Sequence, residues 1–114
     1  QNFLAMRAIM DQHPDKLFII MTIPPLNLGG AANAAGKNNW GNELANWLIS
    51  SEFLTGHNNV FVFDFFHELA EPDGATWDLK ERYKKSATDN HPNTLANQEI
   101  APKLVNVIDA ARTK

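Results

Sequence analysis

Two short apolar runs, separated by one helical stripe, limit what this chain can fold into more than any other feature. Leu17-Phe18-Ile19-Ile20-Met21-Thr22-Ile23 is nearly continuous hydrocarbon, bounded by Asp15-Lys16 and Pro24-Pro25. Val60-Phe61-Val62-Phe63 repeats the pattern and stops at Asp64. A strand with one wet face alternates polar and apolar residues. An unbroken run asks for cover on both faces, as in a parallel sheet. Between the runs, Trp40, Leu44, Trp47, Leu48 and Ser51 recur at helical spacing, flanked by Ala45 and Ile49, with Gly56 as a stop. Strand, helix, strand is the crossover unit of a parallel sheet. The pattern predicts an α/β chain with parallel strands at ~17–23 and ~60–64 and helices at ~2–12, ~41–54 and ~95–112. Trp40 or Trp47, with Leu44 and Leu48, is expected to pack on the strands.

The intervening segments are less regular. His13-Pro14 ends the first helix. Residues 24–39 are rich in Pro, Gly, Asn and Ala and read as a long loop. Residues 67–93 are polar and read as mostly irregular, with a helical turn near Lys80 to Lys85. In the last helix Ile100, Leu104 and Ile108 are spaced by four, and Pro102 either kinks that helix or starts its regular part. Two strands alone make no stable sheet. The chain also begins at Gln1 and runs at once into the apolar pattern Phe3, Leu4, Met6, Ile9, Met10. Both features lead to the expectation that these residues are part of a larger domain.

Composition removes several classes of function. The chain has 114 residues, a net charge of -3 and no basic block, which argues against a nucleic-acid partner. It has no cysteine, so disulfides, thiolate metal sites and cysteine nucleophiles are absent, and neither redox compartment nor localisation is indicated. No apolar run approaches the ~20 residues that span a bilayer. Gly29-Gly30 with Gly36 lacks the lysine of a phosphate loop and the spacing of a dinucleotide fingerprint, so no cofactor is implied.

In open parallel sheets, ligands bind beyond the carboxyl ends of the strands. Here those ends lead into residues 24–39 and 64–93. The second stretch contains Ala87-Thr88-Asp89-Asn90-His91-Pro92-Asn93. An imidazole can act as a general base when an acid orients it, and Asp89 stands two residues before His91. Pro92 fixes its own φ, and Asn93 is a good N-cap for the next helix. The same residues also make a plain turn and cap, in which Asp89 closes an Asx-turn. Asp64-Phe65-Phe66-His67 offers a second acid and imidazole, although an Asp at a strand end commonly satisfies backbone donors. His57 lies in a turn and His13 at a helix stop. Ser50 and Ser51 fall inside the expected second helix, and Ser86 lacks the glycine neighbours of a nucleophile turn, so no serine here is a convincing nucleophile. The tryptophans and phenylalanines sit mainly at core spacing rather than as a sugar platform.

Asp89-Asn90-His91-Pro92-Asn93, followed by Leu95-Ala96-Asn97 and the helix from Ile100, resembles the last conserved block of SGNH (GDSL-type) esterases and lipases. In that family a histidine before Pro-Asn closes the catalytic site ahead of the C-terminal helix. Phe18 to Ile23 with Pro24-Pro25, then Val60 to Asp64, resembles the last two strands of the same fold. The resemblance implies that residues 1–114 are the C-terminal portion of one such domain: a flavodoxin-like three-layer α/β sandwich, represented by two parallel strands and three helices. It implies an ester substrate, such as an acylated carbohydrate or lipid, cleaved through an acyl-serine intermediate with His91 as the base. The Gly-Asp-Ser block, the oxyanion glycine and the Gly-x-Asn-Asp asparagine would then belong to an N-terminal half preceding Gln1. The family usually carries its acid three residues before the histidine, where this chain has Thr88, so Asp89 would serve from a shifted position.

Two further readings stand beside this one. A non-catalytic α/β binding or interaction module would use His-Pro-Asn as a helix cap. A metal-dependent hydrolase would draw on Asp64, His67, Asp89 and His91, which have the ligand types without a recognisable spacing.

Overall fold

The protein is described by a computed structural model covering residues 2–114. It is a mixed α/β chain. In order, it runs α1 (Asn2–Asp11), β1 (Phe18–Met21), α2 (Ala34–Leu48), α3 (Ser51–Leu54), β2 (Val60–Phe63), α4 (Phe65–Leu69), β3 (Ala70–Asp73), β4 (Thr76–Leu79), a 3-10 turn (Glu81–Tyr83) and α5 (Thr94–Arg112). The two apolar runs pair in parallel, with Phe18 opposite Val60 and Met21 opposite Phe63. Both faces of the pair are covered, as unbroken apolar runs require. Ile20, Val60 and Val62 pack with Leu44, Trp47, Leu48 and Phe53 of α2 and α3, and with Phe3 and Met10 of α1. On the other face, Ile19 and Phe63 pack with Ala96, Ile100, Leu104 and Val107 of α5.

Helix α2 starts well before the expected residue 41. Its buried positions are Ala34, Asn38, Gly41, Ala45 and Leu48, a stripe of mostly small side chains. Large apolar residues mark a helix in sequence, and this stripe lacks them, so residues 34–39 read as loop. The small residues allow close approach: a Cβ on Gly41 would stand 3.1 Å from the Phe66 ring. The same geometry turns Trp40 outward, where it is 60% exposed, while Trp47 and Leu48 pack on the strands. The helix also ends earlier than residue 54. Ser50 leaves helical geometry, and its side chain caps α3 by accepting from the Phe53 N–H.

Residues 67–93 are more ordered than their polarity suggests. Asp64 caps the short α4, accepting from the His67 N–H. An antiparallel hairpin follows, pairing Ala70 with Leu79 and Asp73 with Thr76. Gly74 takes a positive φ of 59° in its turn, a conformation that side-chain-bearing residues resist. The hairpin packs on α2 through Trp77, Phe66, Ala45 and Ala70. Pro102 neither starts nor breaks α5, which is continuous around it. The carbonyl four residues earlier belongs to exposed Gln98, where water can serve the missing N–H. There are thus five helices among the described residues rather than three, and a second, antiparallel pair of strands.

Beyond its pairing with β2, β1 has no further strand neighbour among the described residues. Leu17, Met21 and Ile23 along it are each more than two-fifths exposed, as are Leu4, Met6 and Ile9 of α1. An unpaired strand edge flanked by exposed hydrocarbon promotes association. The 114-residue chain on its own is therefore expected to self-associate. Light scattering showing a monomer with reversible, cooperative unfolding would contradict this.

Candidate active site

The histidine loop is built from three segments far apart in sequence. The first is the loop leaving β1. Asn27, 1% exposed, donates its amide hydrogens to the carbonyls of Ser86 (3.0 Å) and Asp89 (3.1 Å). Its own N–H donates to Asn90 Oδ1 (3.1 Å), and Asn90 Nδ2 donates back to the Gly30 carbonyl (3.2 Å). The two loops lie so close that a Cβ on Gly29 or Gly30 would overlap the carbonyl oxygens of Ala87 or Thr88. The second segment is β4. Asp78 accepts from the Leu28 N–H (2.9 Å) and pairs with Lys84 (2.8 Å), with both charged side chains mostly buried. Asp78 is the main cause of a Lys84 pKa raised above the usual lysine range. The third segment is the start of α5. Asn93 caps it by accepting from Ala96 N–H (3.1 Å), and donates to the carbonyls of Arg82 and Lys84.

On this support, His91 Nδ1 lies 2.8 Å from Asp89 Oδ1, and the same oxygen accepts the His91 backbone N–H at 2.8 Å. Nδ1–H facing the carboxylate leaves Nε2 as the acceptor nitrogen. Nε2 has no hydrogen-bond partner among the described residues. The side chain is 81% exposed, so no cleft closes over it among the described residues. The loop after β1 does lie against the histidine loop, as expected for segments leaving one edge of a parallel sheet, but it fixes the backbone rather than walling the ring.

Asp89 holds its proton less readily than an ordinary aspartic acid, first because it accepts the His91 backbone N–H and second because it bonds the ring. A carboxyl whose pKa is depressed by folding contributes stability above its unfolded pKa, and that contribution is lost as pH falls through the lower, folded pKa. The Asp89–His91 contact is thus expected to survive to pH values below the usual carboxylate range. Carbon-detected NMR titration of the Asp89 carboxyl reads this directly, and an ordinary midpoint would show that the contact does not persist in solution.

The second acid–imidazole pair is closed. His67 Nδ1 lies 2.7 Å from Asp64 Oδ2, and Nε2 lies 2.7 Å from Asn42 Oδ1 of α2. Both ring nitrogens are engaged, and the ring packs edge-on against Phe66 and Trp77. It joins α2 to α4 rather than facing a ligand. A third pair lies before the strands rather than after them: His57 Nδ1 stands 2.9 Å from Asp11. The His67–Asp64 and His91–Asp89 pairs do not converge, and among the described residues no three of His, Asp or Glu stand together as a metal-ligating group. A site drawn on Asp64, His67, Asp89 and His91 jointly is therefore not assembled. Ser86 Oγ accepts from the N–H groups of Thr88 (3.3 Å) and Asp89 (3.1 Å), which makes it a turn residue.

Asn27 and Asn90 escaped the sequence reading. Asparagine in a Gly- and Pro-rich stretch reads as a turn former, and nothing local marks a partner sixty residues away. Replacing Asn27 with alanine removes its two hydrogen bonds to the Ser86 and Asp89 carbonyls, at a cost of about 0.5–1.5 kcal/mol each. Faster amide hydrogen exchange confined to residues 86–91 is the expected signature, and unchanged exchange there would show the loop is held by other contacts.

The chain matches no family model, no curated protein and no solved structure. No helix among the described residues is long and apolar enough to cross a membrane.

Proposed function

We propose that residues 1–114 form the C-terminal portion of an SGNH-type serine ester hydrolase domain of flavodoxin-like architecture, and that they supply its histidine loop. The observation that carries this reading is the pair itself: Nδ1 of His91 is held by Asp89 while Nε2 stands open. Of the three imidazoles paired with an aspartate, His67 has no nitrogen to offer, His57 is held by Asp11 ahead of the strands, and His91 follows their carboxyl ends with Nε2 open. The parallel strand pair covered by helices on both faces, and the histidine immediately ahead of α5, support the same reading.

In this mechanism a serine from the preceding portion of the domain attacks the ester carbonyl and His91 Nε2 takes its proton. The imidazolium gives that proton to the departing alkoxide. Water then attacks the acyl-serine, again losing its proton to His91, which returns it to serine as the carboxylic acid leaves. Asp89 holds the ring in the tautomer that leaves Nε2 as the acceptor. Oxyanion donors come from the preceding portion. The substrate is an ester, with acylated carbohydrates and lipids as the classes implied, and residues 1–114 alone are inactive.

One observation favours a second reading. A ring 81% exposed, with no wall around it, also suits an interaction module in which Asp89 and Asn93 only shape a helix entrance. The test is ester hydrolysis by the protein in which this chain follows a Gly-Asp-Ser segment, with and without His91. Absence of any such segment upstream would favour the interaction module.

A further inference from the structure

Resting on the hydrolase reading, we propose that the cavity beside Trp40 binds the acyl chain of a medium-chain ester. This cavity, about 400 Å³, lies between the loop leaving β1 and the first half of α2. Ile23, Pro24, Leu26, Trp40, Gly41 and Phe66 form its walls. Its volume falls in the range of small-molecule sites, roughly 300–1,000 Å³.

The chemistry of the walls selects the ligand. Asn38 also borders the cavity, but its amide is fully engaged: Oδ1 accepts from the Leu26 N–H (2.7 Å), and Nδ2 donates to the carbonyls of Leu26 (2.9 Å) and Trp77 (2.8 Å). That amide therefore has nothing left for a sugar hydroxyl, and the other walls are mostly apolar. The one charged neighbour is Lys37, with no carboxylate against it among the described residues. Such walls suit hydrocarbon and tolerate a nearby negative charge, as on the carboxylate product of ester cleavage.

The position selects the source of that hydrocarbon. Leu26 is a wall of the cavity, and the next residue, Asn27, bonds Asn90 and the Asp89 carbonyl beside His91. One short loop thus borders the cavity and fixes the histidine loop. A chain lying along Trp40 would be attached to a carbonyl on the histidine side of the same loop. A Cβ on Gly41 would meet the Phe66 ring and Ile23, which also line the cavity, and the exposed Trp40 indole forms the outer wall.

The test is an NMR titration of the protein carrying this chain with octanoate, using acetate as the short-chain control. Saturable shifts at the Ile23 methyls, the Trp40 indole N–H and Gly41 are expected with octanoate and not with acetate. Trp40→Ala, which removes a mostly exposed side chain and leaves the core intact, is expected to weaken octanoate about tenfold. Trp40→Phe should recover most of that loss. Shifts that never saturate, or that spread equally to Leu4, Met6 and Val105, would show general adsorption to apolar surface and overturn the proposal. So would unchanged affinity in Trp40→Ala, or a Trp40 already shielded by the rest of the protein. Octanoate binding needs neither the serine nor His91, so its failure is distinguishable from a failure of ester hydrolysis.

Discussion

Replacing His91 with alanine, in the protein that supplies the serine, is expected to lower kcat by about 10³- to 10⁶-fold. That corresponds to roughly 4–8 kcal/mol of lost transition-state stabilisation. The size follows from the role. Without a base at Nε2, serine attacks as a neutral hydroxyl and the leaving alkoxide departs unprotonated. KM should move little, because an exposed ring contributes little to ground-state binding. Asp89→Ala should cost less, by about one to two orders of magnitude relative to His91→Ala, because residues that act as a unit do not contribute equally. The geometry agrees with that ordering. Asp89 reaches the ring from two residues away while also closing a turn through the His91 backbone N–H, so part of its effect is on loop shape. Asp89→Asn can keep the turn while losing the charge, and separates the two contributions. Unchanged ester hydrolysis in His91→Ala would make the histidine a helix-entry residue and the interaction module the better account.

The second large effect concerns stability. Phe66 is fully buried, one residue inside α4, with its ring against Trp77 at 5.9 Å and beneath Gly41. Phe66→Ala should cost about 3–5 kcal/mol, the usual range for emptying a Phe-sized site. Against a typical domain stability of roughly 5–15 kcal/mol, that loss is large. The backbone N–H of Phe66 keeps its bond to the buried Thr22 hydroxyl (2.8 Å) in the variant, so the loss measures ring packing. Urea unfolding of the protein carrying the chain gives the number, with Phe66→Leu as a milder control. A shift below about 1 kcal/mol would mean that α2 and the hairpin collapse onto the gap without penalty.

What could be read in the sequence follows from how each element is held. The parallel pair was legible because Leu17 to Ile23 and Val60 to Phe63 are covered on both faces and therefore apolar throughout. The first six residues of α2 were not, because Ala34 and Asn38 face the core where a helix usually places Leu or Ile. The hairpin was hidden for a related reason. Each strand has four residues, each buries only one, and Pro72 and Asp73 argue locally against a strand. The Asp73-Gly74 pair was the available signal, since Gly at a tight turn between short runs marks a hairpin. At the site, the Asp89–His91 contact was legible because two residues of spacing on a Pro-locked loop leave few alternatives. The asparagines that hold this loop were illegible because their partners are set by tertiary approach. The openness of the ring was illegible for the same reason: Asn27 draws the two loops into direct contact and leaves His91 outside them.

The Asn93 clasp couples the last helix to the histidine loop. An isolated helix pays for its first turn before any hydrogen bond rewards it. Here the residue that starts α5 uses its N–H and its side-chain amide on the carbonyls of Tyr83, Arg82 and Lys84, and keeps its oxygen for Ala96. The clasp therefore gains its full set of bonds only when the 3-10 turn exists. The first turn of the longest helix is in this way tied to a ten-residue loop closure, and His91 lies within that closure. Where this cap is complete, the loop that carries the imidazole is closed as well.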